Sequence, residues 1–185
     1  MVRLDRLSLA FDAGVDASLP ESFGALEFAP VPGVDGAAVW RWKQTRSETL
    51  IQFLTPSIRA GEGVRDLPAL RVSAQALDFL DYLIADPVKA AVLYRSGVLV
   101  QVPRPERYAI HKLILADRRR GGPDTLKSRK DRAQAAFLIA ALARDRPEAL
   151  RLAYEAAIGN GVTWRDRIAA SLKRMPQTFA VLEAL

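Results

Sequence analysis

The feature that most constrains the fold is a change of hydrophobic period at Pro103. Before it, apolar and polar residues alternate in short runs; after it, apolar residues recur every three or four positions to the C-terminus. Alternation buries one face of a strand, whereas a 3.6-residue repeat buries one stripe of a helix. AVWRWKQ (38–44) and TLIQFLT (49–55) read as strands joined by the polar turn TRSE, and LRVSAQ (70–75) as a third, shorter strand. VKAAVLY (88–94) and VLVQVP (98–103) form a second hairpin across RSG, a Ser-Gly turn between β-branched runs. A strand near 7–11 lies in a stretch rich in Gly and Pro, and LDFLDYLI (77–84) is a brief helix. Beyond Pro103, helices are expected over 104–120, stopped by Gly121-Gly122-Pro123, and over 124–144, with Asp124 or Thr125 capping its free amides. Another opens at Pro147 and ends near Gly159-Asn160-Gly161, and two more, 164–174 and 177–185, flank Pro176. Strands first and helices second give an α+β class: a mixed β-sheet over 1–103, then a C-terminal helical bundle over 104–185.

Half of the 185 residues are apolar, enough for a core. No apolar run reaches membrane-spanning length, and Arg3, Asp5, Arg6, Asp12 and Asp16 interrupt the N-terminus, so neither a span nor a secretory signal is expected. A cytoplasmic location follows. The absence of cysteine excludes disulfides and thiolate chemistry, and with His111 as the single histidine a zinc site of protein ligands is not expected. The 27 basic and 21 acidic residues leave a net charge of +6. The window 104–132 alone holds ten basic and four acidic residues, which is the whole surplus. A surplus so local points to a phosphate-bearing ligand.

On a helical wheel Ile110, Leu113, Ile114 and the stem side of Asp117 share one face of the 104–120 helix, and Tyr108, Lys112 and Arg119 the other. In the next helix Leu126, Ala133, Phe137 and Ala140 form the apolar stripe, while Lys127, Lys130, Asp131, Gln134 and Leu138 share a separate face. Asp131 then pairs with Lys127 or reaches a cation on the preceding helix. An antiparallel pair across the short turn brings Lys112, Arg118 or Arg119 toward Arg129 and Lys130. Such cations repel by a few kcal/mol when partly desolvated, a strain that a polyphosphate relieves. Elsewhere, His111 reads as a packing or surface residue and Tyr108 could flank a base. Trp40 and Trp42 suit a core or interdomain contact better than base stacking. Arg104 and Glu106 suit capping and a local ion pair, and Arg165, Arg167, Lys173 and Arg174 around Trp164 a covering amphipathic helix.

The segments WRWKQTRSETLIQFLTPS, FLDYLIADPVKAAVLYRSGVLVQVPRPERYAIHKLILADRRR and LKSRKDRAQAAFLIAAL together resemble a bacterial family of nucleotidyltransferase-fold proteins. That family is a branch of the DNA polymerase beta type superfamily, similar in layout to abortive-infection nucleotidyltransferases. The likeness runs from about Leu7 to the C-terminus, and VPRPERYAIHKL and KSRKD are its most specific parts. It implies a sheet carrying the active site and a helical domain whose cations hold a nucleoside triphosphate: here Lys112, Arg118, Arg119, Arg129 and Lys130, with Asp131 and Tyr108. It also implies a Gly-Ser or Gly-Thr turn, a D-x-D pair and a third carboxylate holding magnesium, since two such ions need several hard oxygens to align an attack on phosphorus.

The sequence departs from that pattern. No Gly-Ser or Gly-Thr turn precedes a D-x-D pair, whose place would fall before Met1, and Asp5 in RLDRLSLAF is a lone remnant. Gln52 holds the strand position of the third carboxylate, and Glu48, on the same face of a strand, sits about 13 Å away. The expectation is therefore a truncated or catalytically degenerate member that binds a nucleoside triphosphate or RNA end through the basic helix pair, with no catalytic or metal-holding residue identified. A longer form supplying the carboxylates would transfer a nucleotidyl group to RNA or a protein acceptor with magnesium (Mg2+). The alternative is a non-catalytic nucleic-acid or partner-binding module of a toxin-antitoxin type system. A second copy of the chain completing the sheet is a further possible partner.

Overall fold

TLIQFLT alternates, and the strand it forms organises the first half of the molecule. The computed structural model describes residues 6–10 (as backbone), 19–33, 38–57, 61–93 and 97–185. The chain divides into two compact units, Met1–Asp81 and Tyr82–Leu185. The first holds β1 (Arg6–Ala10), α1 (Leu19–Ala25), β2 (Phe28–Val31), β3 (Arg41–Gln44), β4 (Leu50–Pro56), β5 (Gly63–Leu67) and β6 (Val72–Leu77). The sheet order is β2-β3-β4-β6-β5, and β1 pairs with β4. β4 runs parallel to β1 and β6 and antiparallel to β3, so the sheet is mixed, as expected. Asp5 lies outside the described residues.

The two faces of β4 diverge as a two-residue period requires. Ile51 and Phe53 are buried beside Phe23, Trp42, Leu70, Val72 and Ala74. Phe23 is the hub: its ring lies 5.4 Å from those of Phe28 and Trp42 and 5.6 Å from that of Phe53. Each such aromatic, once buried, contributes about 2–3 kcal/mol. Trp42 is thus a core residue, whereas the Trp40 ring lies 4.7 Å from the Arg41 guanidinium. Arg71, ending the 3-10 turn Pro68–Leu70, takes a left-handed conformation with φ of 52°.

The second unit is built around α3. Its elements are β7 (Val88–Val92), β8 (Val98–Val102), α3 (Pro105–Arg118), α4 (Thr125–Asp145), α5 (Pro147–Gly159), α6 (Val162–Leu172) and α7 (Pro176–Glu183), while the short helix α2 (Leu80–Ile84) straddles the division. The β7–β8 hairpin therefore falls in the same compact unit as the helices. Arg95 and Ser96 of the hairpin's expected turn, and Tyr94 at the expected end of its first strand, lie outside the described residues; Gly97, the last turn residue, has a φ of 93°. Pro105, Pro147 and Pro176 all stand in the first turn of a helix, where a missing N–H costs nothing.

α3 buries Ala109, Ile110, Leu113, Ile114 and Ala116 and packs against α4, α5 and α6. Two buried hydroxyls bind its backbone from either flank: Ser128 Oγ donates to Ala116 O and Ser171 Oγ to Leu113 O, each at 2.6 Å. The Ser128 bond satisfies a carbonyl near the helix end that lacks a partner one turn on.

The face that α4 turns inward differs from the expected one. Leu126, Ala133, Phe137 and Ala140 are exposed, and the buried residues are Ser128, Asp131, Ala135, Ile139 and Leu142. The reason is chemical: α3 presents a carbonyl and two cations, so α4 meets it with a hydroxyl and a carboxylate. Asp124 occupies the cap position of α4 without a side-chain capping bond, and pairs with Lys127 at 2.8 Å instead. Arg104 pairs with Asp86 at 2.6 Å rather than with Glu106. Among the described residues no helix is long and apolar enough to cross a membrane.

Candidate functional site

Tyr108, Lys112 and Arg119 fall on one line along α3 because helical positions four, seven and eleven apart share a face. Ser128 fixes the first turns of α4 against the end of α3, and Asp131, one turn further, meets that line. Lys112 Nζ lies 2.7 Å from Asp131 Oδ1, and Arg119 Nη1 lies 2.6 Å from Oδ2. The Asp131 side chain is 3% exposed, that of Lys112 13% and that of Arg119 34%. One buried carboxylate thus aims two cations and does not use up the donors of either, those of Arg119 being the more exposed. Lys112 Nζ also stands 5.0 Å from the centre of the Tyr108 ring, a cation-π distance.

His111 lies inward of this cluster and is buried, so it is a packing residue. Burial first, and the neighbouring Lys112 charge second, push its imidazole down to about 4. It is neutral at physiological pH, and its Nδ1 has no hydrogen-bond partner among the described residues.

Five of the seven residues expected to hold phosphate stand at or beside this cluster: Tyr108, Lys112, Arg119, Asp131 and the half-buried Arg118, whose charge His111 senses. Arg129 and Lys130 do not join it. Both are exposed. Two residues before Asp131, Arg129 points about 160° away from it around α4. The local alternative, Asp131 with Lys127, is not formed.

Sequence reasoning missed a second cluster. On the opposite side of α3, buried Asp117 receives Arg167 Nη1 at 3.2 Å and lies 3.4 Å from Arg120 Nη1. Arg167 is 50 positions away, so no local spacing announces it. It missed a third in the first turn of α3, where Glu106 is 1% exposed and its Oε1 accepts from Arg146 at 3.3 Å. Nearby, Arg107 covers the Tyr82 ring at 4.8 Å, and the Tyr82 hydroxyl, pushed above its usual range by burial, donates to Ala153 O at 2.8 Å. The Asp117–Arg167 and Glu106–Arg146 pairs join α3 to α6 and to the start of α5.

A family model described as Nucleotidyltransferase matches residues 2–159, from ahead of β1 through the end of α5. The chain belongs to the nucleotidyltransferase family. No curated protein and no solved structure matches it. The family match contains the whole Tyr108–Lys112–Arg119–Asp131 cluster, whereas Arg167 and Ser171 lie beyond it.

Magnesium, which the resemblance implies, is a poor fit to the described residues. Gln52 sits in β4 directly across from Arg41 of β3, and residues so paired share a sheet face. A guanidinium beside a neutral amide repels a divalent ion. Glu48 is spent on Lys43 at 3.0 Å. Among the described residues, no group of three His, Cys, Asp or Glu side chains could hold a metal ion.

Proposed function

We propose that this nucleotidyltransferase-family protein grips a triphosphate group, on a free nucleotide or an RNA 5′ end, at Lys112 and Arg119. The observation that carries this reading is the aiming of both cations by one buried carboxylate, with a net positive charge left over on a face that is exposed chiefly at Arg119. In a family whose substrates carry phosphate, such a pair is suited to the anion: Asp131 holds the donors in place, so little side-chain freedom is lost when phosphate arrives. Arg118 adds charge, and Tyr108 offers a ring to a base. The described residues then supply grip without transfer chemistry. This degenerate reading rests on Gln52 facing Arg41.

Calorimetry with each nucleoside triphosphate, with inorganic tripolyphosphate and with 5′-triphosphorylated RNA, each with and without magnesium, tests it. Binding is expected with a Kd that rises at least tenfold in Lys112→Ala and Arg119→Ala. Tripolyphosphate binding as tightly as a nucleotide would show that Tyr108 adds nothing. Absence of heat with every phosphate ligand would sink the proposal. Detection of magnesium-dependent nucleotidyl transfer by the purified chain would overturn the degenerate part alone.

A further inference from the structure

The outward face of α4 has an order that triphosphate binding does not use. Leu126 and Phe137 are 75% and 72% exposed, and Ala133 and Ala140 are exposed with them. With Lys130 they stand at positions 126, 130, 133, 137 and 140, alternating steps of four and three. That spacing is the seam of a coiled coil, in which one helix accepts the side chains of another between its own. On a helix of 21 residues the seam runs about 21 Å. Singly exposed apolar residues are ordinary on protein surfaces, but four in register along one helix, with a lysine at the fifth seam position, are not a scatter.

We infer that this face docks a helix of a partner protein, amphipathic and acidic. The seam spacing selects a helix, and the charges select its sign. Lys130 lies within the seam and Arg129 beside it, and neither makes an ion pair among the described residues. Within α4 the acids are Asp131, buried against α3, and Asp145 at the terminus, bonded to Arg144 at 2.8 Å. The seam therefore offers cations without acids, and a carboxylate opposite Lys130 completes it. A second copy is disfavoured because α4 set against α4 brings basic flank to basic flank. RNA is disfavoured because a phosphate backbone leaves Leu126 and Phe137 in water, where the partner helix covers them.

Anisotropy titration of the full chain tests this with three labelled probes: a peptide of about twenty residues with Leu at four-three spacing and Glu elsewhere, the same peptide with Lys for Glu, and a single-stranded RNA of similar length. The acidic peptide is expected to bind, at least tenfold more weakly to Phe137→Ser and to Lys130→Glu, and unchanged to Leu152→Ser, an exposed apolar position on α5. These side chains are on the surface, and unchanged circular dichroism melts confirm folding in each variant. Lys112→Ala, which disables the phosphate grip, is expected to leave peptide binding intact. The inference is overturned if the acidic peptide binds no better than the basic one, or equally well to Phe137→Ser. It is also overturned if light scattering shows a dimer that Phe137→Ser dissolves, or if Phe137→Ser abolishes RNA binding instead.

Discussion

Replacing Asp131 with Asn removes the charge on which Lys112 and Arg119 converge and leaves two cations side by side. Taking one partner from a buried ion pair typically costs 3–5 kcal/mol. Here Arg119 is 34% exposed and can swing into water, while Lys112, at 13%, has less room, so the lower end applies, about 3 kcal/mol. For a chain of this size that lowers Tm by about 6–12 °C. Urea and thermal unfolding followed by circular dichroism at 222 nm measure it. The pair Lys112→Met/Asp131→Leu separates loss of a bridge from exposure of a bare charge: it removes Asp131 and the more buried of its two cations, leaves the more exposed Arg119 to turn into water, and is expected within about 1 kcal/mol of the wild type. Saturating tripolyphosphate is expected to recover much of the Asp131→Asn loss, about 2.7 kcal/mol at a hundredfold excess over Kd. The reasoning is refuted if Asp131→Asn stays within 1 kcal/mol of the wild type, or if the double variant is no more stable than the single one.

His111 sets a pH dependence. Its folded value near 4 lies below the unfolded 6.5, so the unfolded chain binds more protons between them, and stability falls as pH drops from about 6.5 to 4, by on the order of 3 kcal/mol. His111→Leu is expected to flatten that slope, and equal slopes in urea titrations across this range would contradict the burial argument. Phe53→Ala empties a fully buried site against Phe23 and is expected to destabilise the first unit by about 3–5 kcal/mol, read from the tryptophan fluorescence of Trp40 and Trp42. Arg71→Gly relieves a left-handed backbone and is expected to stabilise by about 0.5–1 kcal/mol, with a lower Tm as the contrary result.

Much of the architecture is readable from local chemistry. The period change at Pro103, the glycines at 121 and 122, and prolines at 105, 147 and 176 delimit the helices because each acts on its own neighbours. The meeting of Lys112, Arg119 and Asp131 is readable only in part: the wheel puts both cations on one face of α3, but leaves Asp131 open between Lys127 and a cation of that helix. The short α1, β2 and the edge strand β5 escape notice: LPESFGA and GVRDL have too few apolar residues to show a period, and tertiary packing of Phe23 decides the first. The orientation of α4 is misread for a different reason. Apolar counting favours Leu126 and Phe137 over Ser128 and Asp131, but what faces α4 is a carbonyl and two cations, which hydropathy does not register. The Asp117–Arg167 contact joins residues too distant in sequence for any motif.

Ser128 and Ser171 leave α3 a single seating. A slip of one residue, about 1.5 Å along the axis and 100° around it, would strip both hydroxyls of their acceptors at Ala116 and Leu113 and carry Lys112 and Arg119 out of line with Asp131. The helix therefore behaves as a jig whose tips can be exchanged while its mount stays put: substitutions at 108, 112 or 119 retune what is grasped, whereas loss of either serine sets the whole tool askew.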